Sequence, residues 1–312
     1  MGGTPRPEPL TRLRTSTARA PERSLESRLQ THVQRLAGEI GERNVFHPEA
    51  LHAAAAYIGD VWAGQGYAVH RQSYDVHGVV SANLEVSRAG SWGTDGMVLL
   101  GAHYDSVYGS PGANDNGSAV AALLELAGMF AAAAPALTVR FVAFVNEEPP
   151  FFTSDQQGSM RYARAARRRG DDIRLMIALE TIGSYDDVPG SQHYPPLLRW
   201  FYPSSANYIA FISNLRSRRM LKRLATAFRT VSDFPLQTAT LPAIIPGVDW
   251  SDHRSFWRQG YRALMVTDTA FYRYPWYHTA GDTPEKLDYA SIASVTEGMF
   301  GAVMRLCDGL AR

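Results

Sequence analysis

The chain has 312 residues, 45% of them hydrophobic, which is enough for one large α/β core. Its 31 Lys and Arg nearly cancel 30 Asp and Glu, so no global positive field favours a nucleic-acid partner. A single cysteine, Cys307, excludes an internal disulfide framework, and no apolar run reaches the ~20 residues of a bilayer-spanning helix.

Residues 1–23 are rich in Pro, Arg, Thr and Ser and contain no secretory apolar stretch. They read as a flexible arm ahead of one catalytic domain, 24–312, and a soluble chain is expected, its compartment left open. From Ser24, the apolar residues Leu25, Leu29, Val33, Leu36 and Ile40 fall at helical spacing. Pro48 suits the first turn of a second helix, which ends near Gly64 to Gly66. Two strands, Tyr67 to Val76 and Val79 to Val86, are expected to pair around a turn at His77 and Gly78.

Strand, loop and helix then alternate. Strands are expected at Met97 to Ala102, Thr138 to Val145, Leu175 to Leu179 and Ala263 to Thr267, and helices at Gly117 to Phe130, Met160 to Arg169 and Tyr289 to Leu310. This order predicts a mixed, mainly parallel sheet sandwiched by helices. The irregular, aromatic stretch 185–246, with a helix at Arg218 to Val231, reads as a lid over the site. Two arginine-rich runs, Arg161 to Arg169 and Arg216 to Arg223, read as solvated helix faces. GANDNGS lacks the lysine and spacing of a phosphate loop, and no G-x-S-x-G elbow is present.

Polar residues gather where the strands end. His103 and Asp105 follow the first parallel strand, Asp115 precedes the next helix, Glu147 and Glu148 follow the second strand, Glu180 ends the third and His278 follows the last. Open α/β sheets bind ligands beyond the carboxyl ends of their strands. Clustered carboxylates repel one another unless a cation joins them, and oxygen ligands with two imidazoles suit zinc, with cobalt or manganese as alternatives. Two such ions sharing one carboxylate would lie roughly 3.5–4 Å apart and activate a water held between them. The residues alone support metal-assisted hydrolysis.

The ordered motifs GAHYDS, GANDNGSA, FVNEEPP, LETIGSY, SDHRSFW and YHTAGDTPEKLDY resemble the co-catalytic zinc peptidases, a family that includes bacterial leucyl aminopeptidase and glutamate carboxypeptidase. The likeness covers roughly residues 25–312. It implies two zinc ions held by His103, Asp115, Glu148, Glu180 and His278, with Asp115 as the bridge and a cis peptide to Asn116. It further implies Asp105 as the carboxylate that orients His103, and Glu147 as the general base. Tyr277 matches an oxyanion donor in carboxypeptidase relatives, or is a packed aromatic. Asp252 falls where relatives line the substrate pocket. Many relatives carry Asp at the position of Glu180, and the extra methylene here changes its reach.

The resemblance favours an aminopeptidase acting on peptides or small aminoacyl compounds, since carboxypeptidase relatives carry extra domains. Two alternatives stand beside it: a glutaminyl cyclase, and a non-catalytic binding module on the same scaffold.

Overall fold

The structure is a computed structural model that describes residues 23–196 and 198–311. Of the expected N-terminal arm, residues 1–22 lie outside the described residues. Helix α1 (Leu25–Val33) starts where Ser24 accepts the N–H of Ser27, and runs on through wider π-type turns to Ile40. Helix α2 (Pro48–Gly64) begins on its proline, as expected. Strands β1 (His70–Val76) and β2 (Val79–Arg88) pair antiparallel, with Val76 opposite Val79. His77 and Gly78 both take positive φ there, which suits a tight hairpin turn.

The alternating section follows: β3 (Met97–His103), α3 (Ala119–Ala131), β4 (Thr138–Phe144), α4 (Gly158–Arg169) and β5 (Ile173–Glu180). After them come β6 (Ile209–Ser213), α5 (Arg218–Arg229), β7 (Leu236–Thr240), α6 (His253–Arg258), β8 (Ala263–Thr267) and α7 (Tyr289–Ala311). One eight-stranded sheet runs in the order β1-β2-β4-β3-β5-β8-β6-β7. Strands β4, β3, β5 and β8 are parallel, while β2 and β6 join them antiparallel.

Side chains alternate across β3. Val98, Leu100 and Ala102 enter the larger core with α1, α2, α3, α5 and α7, and Leu99 enters a second core with α4 and α6. Helices therefore cover both faces, and parallel strands sealed on both sides read as continuous apolar runs. Among the described residues no helix is long and apolar enough to cross a membrane.

The stretch 185–246 is not a lid throughout. It supplies β6, α5 and β7 to the sheet and its helical layer, and its flanking pieces, hereafter the roof, line the cavity described below together with β6 and β7. Short α6 begins inside SDHRSFW and ends one residue beyond it, a span too short for helical periodicity to show.

Candidate metal centre

All four parallel strands end on the same edge, and the chemistry sits there. His103 is the last residue of β3 and Glu180 the last of β5, while Glu147 and Glu148 follow β4 within four residues. Asp115 stands in the irregular turn before α3, where the Asp115–Asn116 peptide is cis. The Asn116 amide donates to Leu179 O at 3.0 Å and accepts from Thr181 N at 2.9 Å, which pins that turn against the end of β5. His278, Asn146 and Thr181 all hold positive φ, a conformation costly for residues with a Cβ and concentrated here beside the acids.

Asp115 lies between the two histidines. Its Oδ1 is 3.4 Å from His103 Nε2 and its Oδ2 is 3.0 Å from His278 Nε2. Glu180 Oε2 stands 3.4 Å from the same His103 nitrogen, and Glu148 Oε2 stands 3.4 Å from that of His278. Two half-sites thus share one carboxylate, each with one imidazole and one further acid. Glu147 Oε2 is farther from His103, at 3.9 Å. Asp105 faces His103 Nδ1 at 3.7 Å, and its two oxygens accept the backbone N–H groups of Glu147 and Glu148, both at 3.1 Å.

Asp105, Asp115, Glu147, Glu148, Glu180 and Asp252 are all buried. Burial and the flanking carboxylates push Glu147 and Glu148 well above the usual range, against the pull of His103. Burial would also raise Asp115, but His103 and His278 overcome it and hold that carboxyl below its ordinary value. For His103, burial works toward the neutral form, and Glu180, Asp105 and Asp115 outweigh it. Both Asp115 oxygens and Glu148 Oε1 accept no well-directed hydrogen bond. Five buried acids lie within 4 Å of the two imidazoles, so ionised together they carry more charge than both protonated rings supply. His103, Asp115 and Glu148 bring ligand atoms within 4.8 Å of one another, and this donor set fits divalent cations.

Tyr277 stacks on His278, ring centres 3.9 Å apart, and faces a cavity of about 810 Å³ counted to its open mouth. Among the described residues Glu180 is the only charged one lining it. Ala210 and Ile212 of β6, Ala239 of β7 and Met265 of β8 form one wall, and Tyr194, Leu198 and Tyr202 with residues 245–248 form another. Asp252, expected to line the pocket, does not. It is fully buried, neither oxygen accepts a well-directed hydrogen bond, and burial lifts its carboxyl to about 7.

Several supporting residues escaped the sequence reading. Asp282 accepts the N–H groups of Asn114 at 2.8 Å and Asp115 at 3.0 Å. Asp268 accepts from the Asn114 amide and from Gly183 and Ser184 N–H, while a Cβ on Gly183 would meet Asn114 Oδ1 at 2.8 Å. Ser251 donates to Glu180 Oε2 at 2.7 Å, which fixes the longer side chain. Asn114 and Asp282 lie inside the quoted motifs ANDN and GDT, the one signal that could have exposed them.

A mixed sheet with a doubled acid–histidine centre at its strand ends defines the metal-dependent hydrolases of this architecture. The particular family follows from the sequence: residues 83–303 match "Peptidase family M28", and the chain belongs to that family. The uncharacterized protein YfbL of Escherichia coli is 36% identical over 288 residues, 89% of this chain and 88% of that protein. A zinc aminopeptidase from Bacillus subtilis shares the fold with a TM-score of 0.70 at 15% identity, over 90% of this chain and 95% of that one. A glutaminyl cyclase of Fimbriiglobus ruber does so with a TM-score of 0.64 at 18% identity, again over 90% and 95%.

Proposed function

We propose that this M28 peptidase is a zinc-dependent aminopeptidase that removes N-terminal residues from peptides with large apolar side chains. The observation that carries the reading is Asp115, whose two buried oxygens each face a different histidine, with Glu180 and Glu148 alongside. His103, Asp115 and Glu180 would hold one zinc, and Glu148, Asp115 and His278 the other. When bound, zinc supplies Lewis acidity toward the scissile carbonyl and lowers the pKa of the attacking water.

The chain's own groups do the rest. Glu147 has a raised proton affinity and stands farther from the imidazoles than Asp115, Glu148 and Glu180 do. It takes the proton from the attacking water and returns it to the leaving amine. Burial, then the carboxylates of Asp115 and Glu148, keep the Tyr277 hydroxyl protonated, so it remains a donor toward charge developing on the carbonyl oxygen. Asp105 aims His103 and the two glutamates. The apolar cavity beside Tyr277 receives the side chain of the N-terminal residue, and water is excluded by the roof segments.

Zinc-reconstituted protein is to be incubated with free, N-acetylated and N-terminal-glutamine peptides, with products read by mass spectrometry. Stepwise N-terminal loss from free peptides alone supports the proposal. Loss of ammonia from the glutamine peptide would replace it with a cyclase, and C-terminal trimming with a carboxypeptidase. In the same assay Glu147→Gln is expected to keep its zinc while turnover falls by about 10²-fold or more. Full activity in that variant would remove Glu147 from the base role.

A further inference from the structure

Arg273 is a buried guanidinium, 9% exposed, with no carboxylate within ion-pair distance among the described residues. Its bonds run to one segment of chain. Nε donates to Gln192 Oε1 at 2.7 Å, and Nη1 donates to the carbonyls of Ser184, Ala206 and Tyr208 at 3.2, 3.0 and 2.9 Å. The guanidinium also lies 4.5 Å over the Tyr208 ring, and its Nη2 has no partner.

The next residue pulls the opposite way. Tyr274 donates its hydroxyl to Asp282 Oδ1 at 2.9 Å, and Asp282 holds the backbone of Asn114 and Asp115. One short loop is therefore fastened to the cavity roof by Arg273 and to the acid centre by Tyr274. Three residues later it presents Tyr277 and His278. Gln192 and Tyr208, which Arg273 grips, both line the apolar cavity. Gln192 also donates to Thr269 Oγ1 at 3.1 Å, another lining residue. A group filling the cavity would meet Gln192 and Tyr208, two of the residues that fix Arg273.

We propose that Arg273 is a positioning residue that couples filling of the apolar cavity to the placement of Tyr277 and His278. The inference rests on the aminopeptidase reading for its kinetic consequence, and on geometry alone for the coupling. A planar fork is needed because donors must reach Gln192 and three carbonyls at once. The point charge of lysine does not reproduce this.

The test separates the two. Hydrogen exchange by mass spectrometry is measured on the full chain with and without L-phenylalaninol, an apolar amine that lacks a scissile bond. In the wild type, saturation is expected to slow exchange in the roof, 184–208, and in the loop, 270–282, together. In Arg273→Met the roof alone should be protected, with Arg273→Lys intermediate. This readout needs no turnover, so it stands even if the protein cleaves no peptide. Equal protection of both segments in Arg273→Met overturns the proposal, as does a wild type in which the amine protects neither segment or only one. Where peptides are cleaved, the preference in kcat for phenylalanyl over alanyl substrates should fall at least about fivefold in Arg273→Met and less in Arg273→Lys. A uniform loss on both substrates would mark a merely structural role and overturn it.

Discussion

Asp105 meets only one of the two histidines, yet the backbones of both Glu147 and Glu148 hang from its oxygens. Asparagine at this position would keep one acceptor and turn an N–H₂ toward a backbone N–H, which sets donor against donor. The two glutamates would tilt and His103 would lose the charge opposite its Nδ1. Residues that orient metal ligands typically contribute 10–100-fold in metal affinity. Asp105→Asn is expected to lose zinc affinity within that range, measured by competition against a chelating indicator. Wild-type affinity would mean that the loop holds itself. The ligand candidates were legible because His, Asp and Glu at strand ends have few structural reasons to be there. Asp282 and Asp268 were not, since they act through backbone N–H groups and the Asn114 amide, all far away in sequence, and spacing carries no trace of that.

Unbroken apolar or helical patterns were readable from the sequence: β8, buried along its whole length, matches its expected bounds, and α5 and α7 agree within two residues. Strands β6 and β7 were not. β7 is half-exposed along most of its length, and both sit in an aromatic stretch whose composition suggested a lid. Connections between elements were equally hidden, and Arg43 shows why. It is fully buried beyond the end of α1, and burial lowers its guanidinium to about 10. It donates to the carbonyls of Tyr104 at 2.6 Å, Gly112 at 2.8 Å, Gly41 at 3.2 Å and Leu36 at 3.3 Å, and to Pro111 O. One arginine thus satisfies the loose ends of three loops under the Asp115 turn. Arg43→Met keeps much of the volume and strands those carbonyls. The expected cost is about 3–5 kcal/mol, read as a shift in the urea midpoint. A shift below about 1 kcal/mol would show that the carbonyls find other partners.

At the scale of the whole molecule, the second core layer carries a titration that the sequence could not disclose. His253 in α6 is fully buried. Its Nε2 donates to Val248 O at 2.8 Å, its Nδ1 has no partner, and its ring stands edge-on to Trp257. Burial holds the folded imidazole at about 4, against 6.5 in the unfolded chain. Between those values the unfolded state binds a proton that the folded state refuses, so stability is complete above about pH 6.5 and declines toward pH 4. The difference corresponds to roughly 3 kcal/mol. Glu125, held below its ordinary range by His32 and Arg28 despite burial, adds an acid loss of the same sign, but only as pH falls through the carboxylate range. His253→Gln retains a donor for Val248 and cannot charge. Its unfolding free energy, measured by urea from pH 7 to pH 4.5, should therefore be flatter than that of the wild type. The same flattening is expected with zinc chelated, because the effect belongs to the scaffold. Parallel curves for the two proteins would mean that His253 gains a proton in the fold as readily as outside it.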